Sequence, residues 1–261
     1  MAYIEKLENF WRTLISSFKT AETLEGATLV CNPEIPLYVL NHAACIKSNE
    51  DDCSKLINRV EEYFRLRQLP FVCFRTSSMT RPKSFVSLLE SASFEPKSEQ
   101  SVMVLKKAEI TENENAKVVI KRVNSYSDVD VFDKLMLTIF EMPTEWKRSF
   151  DEFTRICMQS GWRFYLANYL GKPVGTCALF SSGKIGGIFN VGTLPEYRKM
   201  GIGTALTLQA LRDSADSGNK VHTLQAETGG NAQRLYEKVG FEVDHLTRFF
   251  AKQIMAEKLL K

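Results

Sequence analysis

A loop that combines glycine with positive charge is the stretch of this sequence whose residue types and spacing most clearly suit chemistry. It reads Arg198-Lys-Met-Gly-Ile-Gly203, follows a strand-like apolar run at 184–191, and precedes apolar positions at mostly helical spacing. The start of a helix presents backbone N–H groups without partners and carries partial positive charge. Glycine also lets the backbone approach a ligand closely. The loop therefore predicts a site for phosphate groups.

Two other nucleotide-binding loops do not fit this stretch. A dinucleotide fingerprint needs a small third residue where this chain has Leu206, and a P-loop needs Gly-x-x-x-x-Gly-Lys-Ser/Thr, which is missing. The remaining alternative is a plain glycine turn before a helix.

Two motifs together resemble a known family. Arg198-x-x-Gly201-x-Gly203, after a strand that ends Asn190-Val-Gly-Thr-Leu-Pro195, resembles the acetyl-CoA pyrophosphate loop of the GNAT superfamily of N-acetyltransferases. Leu235-Tyr-Glu-Lys-Val-Gly-Phe241 is similar to the family's Leu-Tyr-Glu-Lys-Leu-Gly-Phe segment. The resemblance covers residues 118–251. Many members carry an Asn seven residues before the Tyr, where this chain has Gly229 and its nearest Asn is Asn231.

The resemblance implies a co-substrate and the residues that bind it. Acetyl-CoA would place its pyrophosphate on the loop and its pantetheine arm in a gap between splayed central strands. No metal is implied. The residues expected to contact acetyl-CoA are Val191, Gly192, Thr193, Arg198, Lys199, Met200, Gly201, Ile202, Gly203, Thr204 and Asn231.

The resemblance also implies direct attack of an amine on the thioester, with Tyr236 as the general acid. A phenol of pKa about 10 stays protonated at neutral pH and can donate a hydrogen bond to a thiolate of pKa about 8.5. The alternative for Tyr236 is a core aromatic. A base must take a proton from the amine. Glu227 is the first candidate and Glu141 the second, and for both the alternative is a solvated surface carboxylate.

The expected function is acetyl-CoA-dependent N-acetylation of a primary amine, either a small molecule or an aminoacyl compound. Two alternatives stay open, a non-catalytic CoA-binding regulatory module and an acyltransferase that uses a longer acyl-CoA. The segment at 141–146 and the first half of the chain are expected to line the acceptor site.

Composition narrows the class of protein. In 261 residues, 44% are hydrophobic, which is enough for buried cores, and the net charge of +3 comes without a Lys/Arg-rich block, so no nucleic-acid partner is expected. There is no run of eighteen apolar residues and no signal-like N-terminus, so we expect no membrane partner and a cytoplasmic protein, monomeric or homodimeric. Six cysteines without Cys-x-x-Cys spacing predict buried free thiols and no metal site.

Alternating helical and strand-like segments predict an α/β (α+β) chain. A polar stretch at 107–117 reads as a linker, which gives a degenerate GNAT-like domain at 1–112 and a GNAT acetyltransferase domain at 117–261. Each domain is expected to be a mostly antiparallel mixed sheet flanked by helices.

The sequence of the first half predicts helices at 3–20, 53–67 and 82–92 and strands at 36–46, 70–75 and 101–106. The second half predicts a strand at 117–123, a helix capped near Ser127, helical structure at 144–160, a hairpin over 162–181 and a fifth strand at 220–227.

A short internal repeat supports the tandem arrangement. Leu88-Leu-Glu-Ser-Ala-Ser-Phe-Glu95 matches the segment from Leu235 to Glu242 at four of eight positions, both at a predicted helix-to-strand junction. Leu89 takes the place of Tyr236, and the loop Ser48-Asn-Glu-Asp-Asp-Cys53 has three acids and no glycine. Acids at a helix start favour capping and repel pyrophosphate, so the first half should not bind CoA in the usual way.

Overall fold

The computed structural model describes residues 3–18, 21–105 and 117–254. Within these residues the helices are α1 (Ile4–Ser17), α2 (Cys53–Leu66), α3 (Phe85–Ser91), α4 (Tyr126–Ile139), α5 (Lys147–Gln159), α6 (Ile202–Asp216) and α7 (Asn231–Val239). The strands are β1 (Ala21–Leu24), β2 (Ala27–Val30), β3 (His42–Ala44), β4 (Phe71–Ser77), β5 (Glu95–Leu105), β6 (Val118–Arg122), β7 (Arg163–Tyr169), β8 (Lys172–Ser182), β9 (Ile185–Thr193), β10 (Val221–Glu227) and β11 (Glu242–Gln253).

The chain forms two compact units. Unit 1 runs to Ser101 and takes in the chain from Asp244 onward, and unit 2 is Val102–Val243. Strands β5 and β11 therefore give residues to both units. The predicted linker lies outside the described residues except for Lys117, and the predicted boundaries of 1–112 and 117–261 stay a prediction.

In unit 2 the strand order is β5-β10-β9-β8-β7-β6. Neighbours from β6 to β9 pair antiparallel, and β9 pairs parallel with β10. Apolar residues of the strands pack with α6 and α7 into one core that includes Leu206, Leu211 and Tyr236. This confirms the predicted class of fold, a mostly antiparallel mixed sheet flanked by helices.

In unit 1 the order is β1-β2-β3-β4-β11-β5, with β3 parallel to β4. The strand predicted near 36–46 is only β3, because a 3-10 turn occupies Tyr38–Leu40. The sequence analysis missed the hairpin of β1 and β2. Its turn contains Gly26 at φ +87°, and glycine between two short runs with β-branched residues was the signal for it.

Two backbone details of unit 1 recur in unit 2, in agreement with the predicted tandem arrangement, which stays a prediction. Ser93 and Gly240, which the sequence repeat aligns, both have positive φ, +65° and +103°. The same backbone bond closes both helix ends, Phe94 N–H to Leu89 O at 2.9 Å and Phe241 N–H to Tyr236 O at 3.0 Å.

Two predictions about helix starts were wrong. Helix α4 is capped by Ser125, whose hydroxyl accepts from the N–H of Asp128, and Ser127 lies inside the helix. At α2 the acids do not cap, because no side chain bonds to the exposed N–H groups and Asp52 instead pairs with Lys55 at 3.0 Å. These acids still place negative charge where pyrophosphate would lie.

A buried carboxyl lies between α4 and α5. Asp133 is fully buried, and its Oδ1 accepts a 2.7 Å hydrogen bond from the Thr154 hydroxyl. Burial first, and then the nearby Asp151 carboxylate, raise the pKa of Asp133 to about 8. The protonated form is therefore favoured in the folded state, so its stabilising effect is present at low pH and lost as the pH rises through about 8.

We expect Asp133→Asn, which keeps the acceptor for Thr154, to flatten this pH dependence. Between pH 5 and pH 9 the variant should gain stability relative to the parent by about 2 kcal/mol or more, several degrees in melting temperature. Thermal melts from pH 5 to 9 measure this, with the exposed Asp216→Asn as control. Equal pH slopes for Asp133→Asn and the parent would contradict the assignment.

Candidate active site

Strand β9 separates from β10 halfway along its length. Their parallel register ends at Ile188 and Leu224, although β9 continues to Thr193 and β10 to Glu227. A wedge therefore opens between the two strands, as the family resemblance implied.

A β-bulge on β9 coincides with the start of the wedge. The register with β8 shifts between Thr176 and Ala178, which gives β9 one extra residue there. Asn190 takes the left-handed conformation at φ +52°, and its carbonyl accepts a 2.9 Å hydrogen bond from the Thr176 hydroxyl. A bulge of this kind bends the strand and increases its twist, which turns residues 191–193 away from β10.

The end of α4 lies against the outgoing part of β9. A Cβ on Gly192 would come within 2.5 Å of Ile139 Cγ2 and 3.2 Å of the Phe140 ring, so only glycine fits. Glu141 follows directly, exposed and at φ +53°. Helix α4 thus brings Phe140 and Glu141 to the side of the wedge.

The start of α6 is open to an anion. Gly201 is the N-cap at φ +77° with no side-chain cap. The first helical bond is Ala205 N–H to Gly201 O at 2.9 Å, and the N–H groups of residues 201–204 have no backbone acceptor among the described residues. Arg198 and Lys199 are exposed beside them, and Arg198 Nε donates to Thr193 O at 3.2 Å. This site fits a pyrophosphate, because it combines backbone N–H donors, the positive end of the helix dipole and two cationic side chains.

Two of the predicted loop residues, Ile202 and Gly203, can contact a ligand only through their backbone. Ile202 is 1% exposed, and a Cβ on Gly203 would lie 3.3 Å from Leu235 of α7. A side chain at position 203 would therefore press on Leu235, and the Gly203 N–H remains available to an anion. Met200 and Thr204 lie at the surface or half-buried at the same helix start.

Tyr236 is the buried residue of α7. It is 5% exposed, its ring centre lies 6.1 Å from that of Phe241, and no hydrogen-bond partner is present for its hydroxyl in the described part of the chain. Burial first, and then the charge that Cys177 would carry, raise the pKa of Tyr236 well above its ordinary value. The phenol therefore stays protonated at all physiological pH.

The two candidate bases, Glu227 and Glu141, are both exposed. Glu227 ends β10 at the mouth of the wedge, and its backbone oxygen accepts from Gly230 N–H at 2.9 Å. The structure gives neither carboxylate a hydrogen bond to Tyr236. Asn231 is exposed at the start of α7, where its Oδ1 accepts a 2.6 Å bond from Arg234.

Sequence analysis missed the residues that shape the wedge. Thr176, Asn190 and Phe140 carry no chemistry of their own, so no motif identifies them. Asn within an apolar strand is the one signal, because Asn tolerates left-handed backbone better than most residues.

The predicted buried free thiols are present. All six are free, and five are buried, with Cys45 half-buried. Among the described residues no cluster of His, Cys, Asp and Glu could hold a metal ion, and none of the helices combines the length and hydrophobicity needed to cross a bilayer.

Comparison with known proteins agrees with this geometry. Residues 160–243 match the family model for the acetyltransferase (GNAT) domain. No curated protein matches the sequence at a significant level.

Solved structures share the fold along nearly the whole chain. A GCN5-related N-acetyltransferase from Kribbella flavida superposes with a TM-score of 0.71 at 12% identity, over 97% of each chain. A GCN5-related N-acetyltransferase from Sphaerobacter thermophilus has a TM-score of 0.67 at 18% identity, over 88% of this chain and 78% of its own. A tandem GNAT protein from the clavulanic acid biosynthesis pathway has a TM-score of 0.61 at 11% identity, over 87% and 78%.

The family match covers the β7–β10 and α6–α7 region that builds the wedge, and the fold is shared beyond it. The resemblance to the GNAT superfamily is thus confirmed: residues 160–243, in the second half of the chain, match the GNAT acetyltransferase domain.

Proposed function

We propose that this protein is an acetyl-CoA-dependent N-acetyltransferase that moves an acetyl group to the primary amine of a small molecule or an aminoacyl compound. The observation that carries the proposal is the wedge between β9 and β10 next to the uncapped start of α6. One end offers donors for pyrophosphate, and the other offers unpaired strand edges to an extended pantetheine arm.

Backbone groups would do most of the binding. The N–H groups of residues 201–204, with the side chains of Arg198 and Lys199, would hold the pyrophosphate. The outgoing part of β9 from Val191 to Thr193 would pair with the amide groups of pantetheine, because its edge facing β10 is not used by that strand. Asn231 would contact CoA at the start of α7.

The reaction would be a direct transfer. The neutral amine nitrogen attacks the thioester carbon, a C–N bond forms, the C–S bond breaks, and the electron pair leaves on sulfur. Tyr236 would donate a hydrogen bond to the sulfur as thiolate forms. Because burial raises its pKa far above that of a thiol, Tyr236 stabilises the thiolate by this bond and keeps most of its proton.

The proton of the amine needs an acceptor. A lysine-like amine is mostly protonated at pH 7, so a base or water must deprotonate it before attack. We propose Glu227 as this base, with Glu141 as second candidate. Both are exposed, so either would pass the proton readily to bulk water.

One observation favours a second function, a CoA-binding regulatory module without turnover. Tyr236 packs in the core as a structural aromatic residue does. A protein that only binds CoA would need this residue for packing alone. A longer acyl donor is compatible with the same site. The Tyr236 variant below separates turnover from binding.

Tyr236→Phe keeps the ring and removes the hydroxyl. We expect kcat to fall by about 10²–10⁴-fold with little change in the KM for acetyl-CoA, since the hydroxyl acts when thiolate forms. The loss should shrink with an acyl donor whose leaving thiol has a lower pKa. The parent should lose no activity through deprotonation of Tyr236 up to about pH 10, since its pKa lies above 10. Steady-state kinetics against pH measure both effects.

A Tyr236→Phe variant that turns over acetyl-CoA at the parent rate would make Tyr236 a core aromatic only. Unchanged melting temperature and unchanged CoA affinity are the controls that exclude a folding defect.

The pyrophosphate site can be tested at Gly201, because a Cβ there meets nothing within 4 Å. Asp and Asn both tolerate its left-handed backbone and have nearly the same shape. Gly201→Asp should bind CoA about tenfold or more weakly than Gly201→Asn, since only Asp adds a negative charge beside the phosphates. Calorimetric titration compares the pair, and equal affinities would place the pyrophosphate elsewhere.

One CoA should bind per chain. The helix start in unit 1 follows three exposed acids, Glu50, Asp51 and Asp52, and the loop before it contains no glycine. The acids would repel a pyrophosphate at this helix start. Titration calorimetry of the parent should give one site, and Gly201→Asp should weaken that same site. A second CoA site that Gly201→Asp leaves untouched would show that unit 1 binds CoA as well.

A further inference from the structure

Strands β3 and β4 of unit 1 separate as β9 and β10 do in unit 2. Their parallel register is the pair of Ala43 with Phe74, and β4 then continues to Ser77. Cys45, two residues after Ala43, is left-handed at φ +54°, as is Asn190 at φ +52°, two residues after the last residue of β9 in register with β10. Unit 1 therefore has its own wedge, between the residues that follow β3 and the end of β4.

The chain itself occupies the wedge of unit 1. Arg81 N–H donates to Ile46 O and Ser48 N–H donates to Arg81 O, both at 3.1 Å. Lys47 and Arg81 accordingly form a parallel β-bridge, while Lys47 N–H donates to Gly26 O at 2.9 Å on its other side. Arg81 thus gives its N–H and its C=O to one strand edge, as a residue of a parallel neighbouring strand does.

The groups that Arg81 uses match those proposed for pantetheine in unit 2. Counting from the left-handed residue of each unit, Ile46 corresponds to Val191 and Ser48 corresponds to Thr193. An extended arm with two amide groups would need the same C=O and N–H of the strand edge. Arg81 therefore lies where the arm of an acyl-CoA would lie in unit 2.

The loop that carries Arg81, residues 78–84, is longer than its counterpart. It joins β4 to α3 with seven residues, whereas residues 228–230 join β10 to α7 with three. The same turn opens both loops, with Thr80 N–H on Ser77 O at 3.1 Å and Gly230 N–H on Glu227 O at 2.9 Å. The additional residues of unit 1 follow this turn, and Arg81 is the first of them.

Hydrogen bonds within the 78–84 loop hold it in one conformation. The Arg81 guanidinium donates to Ser78 O at 2.9 Å and to Thr80 O at 2.8 Å. Lys83 Nζ also donates to Ser78 O, at 2.7 Å, and Thr80 Oγ1 accepts from Ser77 N–H at 3.0 Å. The loop is preorganised for its place in the wedge, which lowers the entropic cost of its pairing with the strand edge.

A cleft of about 570 Å³ adjoins the 78–84 loop. Gly26, Lys47, Ser48 and Arg81 are among the residues that line it. An incoming chain therefore has room beside the loop, but the strand edge that it would pair with is taken by Arg81.

We propose that residues 81–83 are an internal plug that takes the place of an acyl-CoA arm in unit 1, so that the chain itself closes this copy of the site. The plug bonds are intramolecular, so an arriving arm would have to displace them. Without the plug, the edge should accept an extended diamide such as pantetheine. The comparison with pantetheine rests on the proposed function of unit 2, whereas the pairing of Arg81 with the edge does not.

The acids Glu50, Asp51 and Asp52 exclude CoA from unit 1 in a different way. They repel a pyrophosphate at the start of α2, whereas the plug occupies the edge needed by the arm. Pantetheine has no phosphate, so it tests the plug separately from the acids.

Amide hydrogen exchange of the full chain, followed by ¹H–¹⁵N NMR, reads the plug directly. Asn49 N–H is the local reference, because it has no acceptor among the described residues. After correction for sequence effects, the N–H groups of Ser48 and Arg81 should exchange at least about tenfold more slowly than that of Asn49 in the parent. Pantetheine at tens of millimolar should leave the exchange of Ser48 in the parent unchanged.

Deletion of residues 81–83 removes the plug and keeps the turn at Thr80. It also gives Leu89 the spacing from Ser77 that Tyr236 has from Glu227. Ser48 N–H should then exchange at least about tenfold faster than in the parent, and pantetheine should slow it again.

Two point variants provide a matched pair. Arg81→Ala removes the guanidinium bonds to Ser78 and Thr80 and should speed the exchange of Ser48 N–H by about tenfold. Arg59 lines the same cleft but pairs with Glu25, so Arg59→Ala should exchange like the parent.

Three results would overturn the proposal. Parent exchange of Ser48 N–H as fast as that of Asn49 would mean that Arg81 does not pair with the edge. Unchanged protection of Ser48 after the deletion would mean that another group covers it. If the deletion variant does not fold, equal exchange of Ser48 in Arg81→Ala and Arg59→Ala is the result that rejects the plug. The third result is an opened edge that pantetheine does not protect.

Thr193 N–H, read in the same spectra, separates the plug from the proposed function. Pantetheine that protects Thr193 but not Ser48 in the deletion variant would overturn the plug alone. Protection of Ser48 but not Thr193 would support the plug and contradict the function of unit 2, and protection of neither would overturn both.

Discussion

The early end of the β9–β10 pairing is the constraint on which the rest of unit 2 depends. Parallel strands normally bond along their shared length, and an unpaired buried edge is costly. The bulge at Asn190, held by the Thr176 hydroxyl, turns β9 away and makes the separation part of the fold. Glycine at 192 then lets α4 close on the outgoing strand. The edge created in this way is half-exposed at residues 191–193, and an extended amide chain would match it.

A residue of left-handed backbone follows the paired part of β3 in unit 1 and of β9 in unit 2, with a different result in each unit. In unit 2 the wedge is followed by a glycine loop and an uncapped helix of Ile202–Asp216, so donors face solvent. In unit 1 the corresponding helix start carries Glu50, Asp51 and Asp52, and Cys45, at φ +54°, borders the buried pair of Glu8 and Arg75. Similar backbone structure therefore supports an anion site in unit 2 and a buried charge pair in unit 1. Side chains decide between them, because φ is nearly equal at Cys45 and Asn190, +54° and +52°.

Burial defines what Tyr236 can do. In water its phenol would ionise near pH 10, but the core around it disfavours the anion and raises the pKa further. The group then serves as a permanent hydrogen-bond donor and a poor proton source. Asp133 shows the same effect of burial on a carboxyl, whose pKa rises to about 8 so that it is mostly protonated at neutral pH. In both cases the local environment decides the chemistry that the residue type only permits.

The sequence by itself determined the class of fold, the family resemblance and the order of most elements. Glycine at 201 and 203 with Arg198 indicated the anion site, and the repeat of 88–95 with 235–242 indicated the tandem plan, because these signals are local in sequence. The cap of α4 was placed wrongly near Ser127, and the acids of the loop 48–53 were wrongly expected to cap α2, since a cap depends on which backbone N–H the side chain can reach. Only the tertiary structure decided that Gly203 packs on Leu235, that Tyr236 is buried, and that Glu8 and Arg75, 67 positions apart, meet in one cavity. These contacts join residues distant in the chain, and no local pattern of residues encodes them.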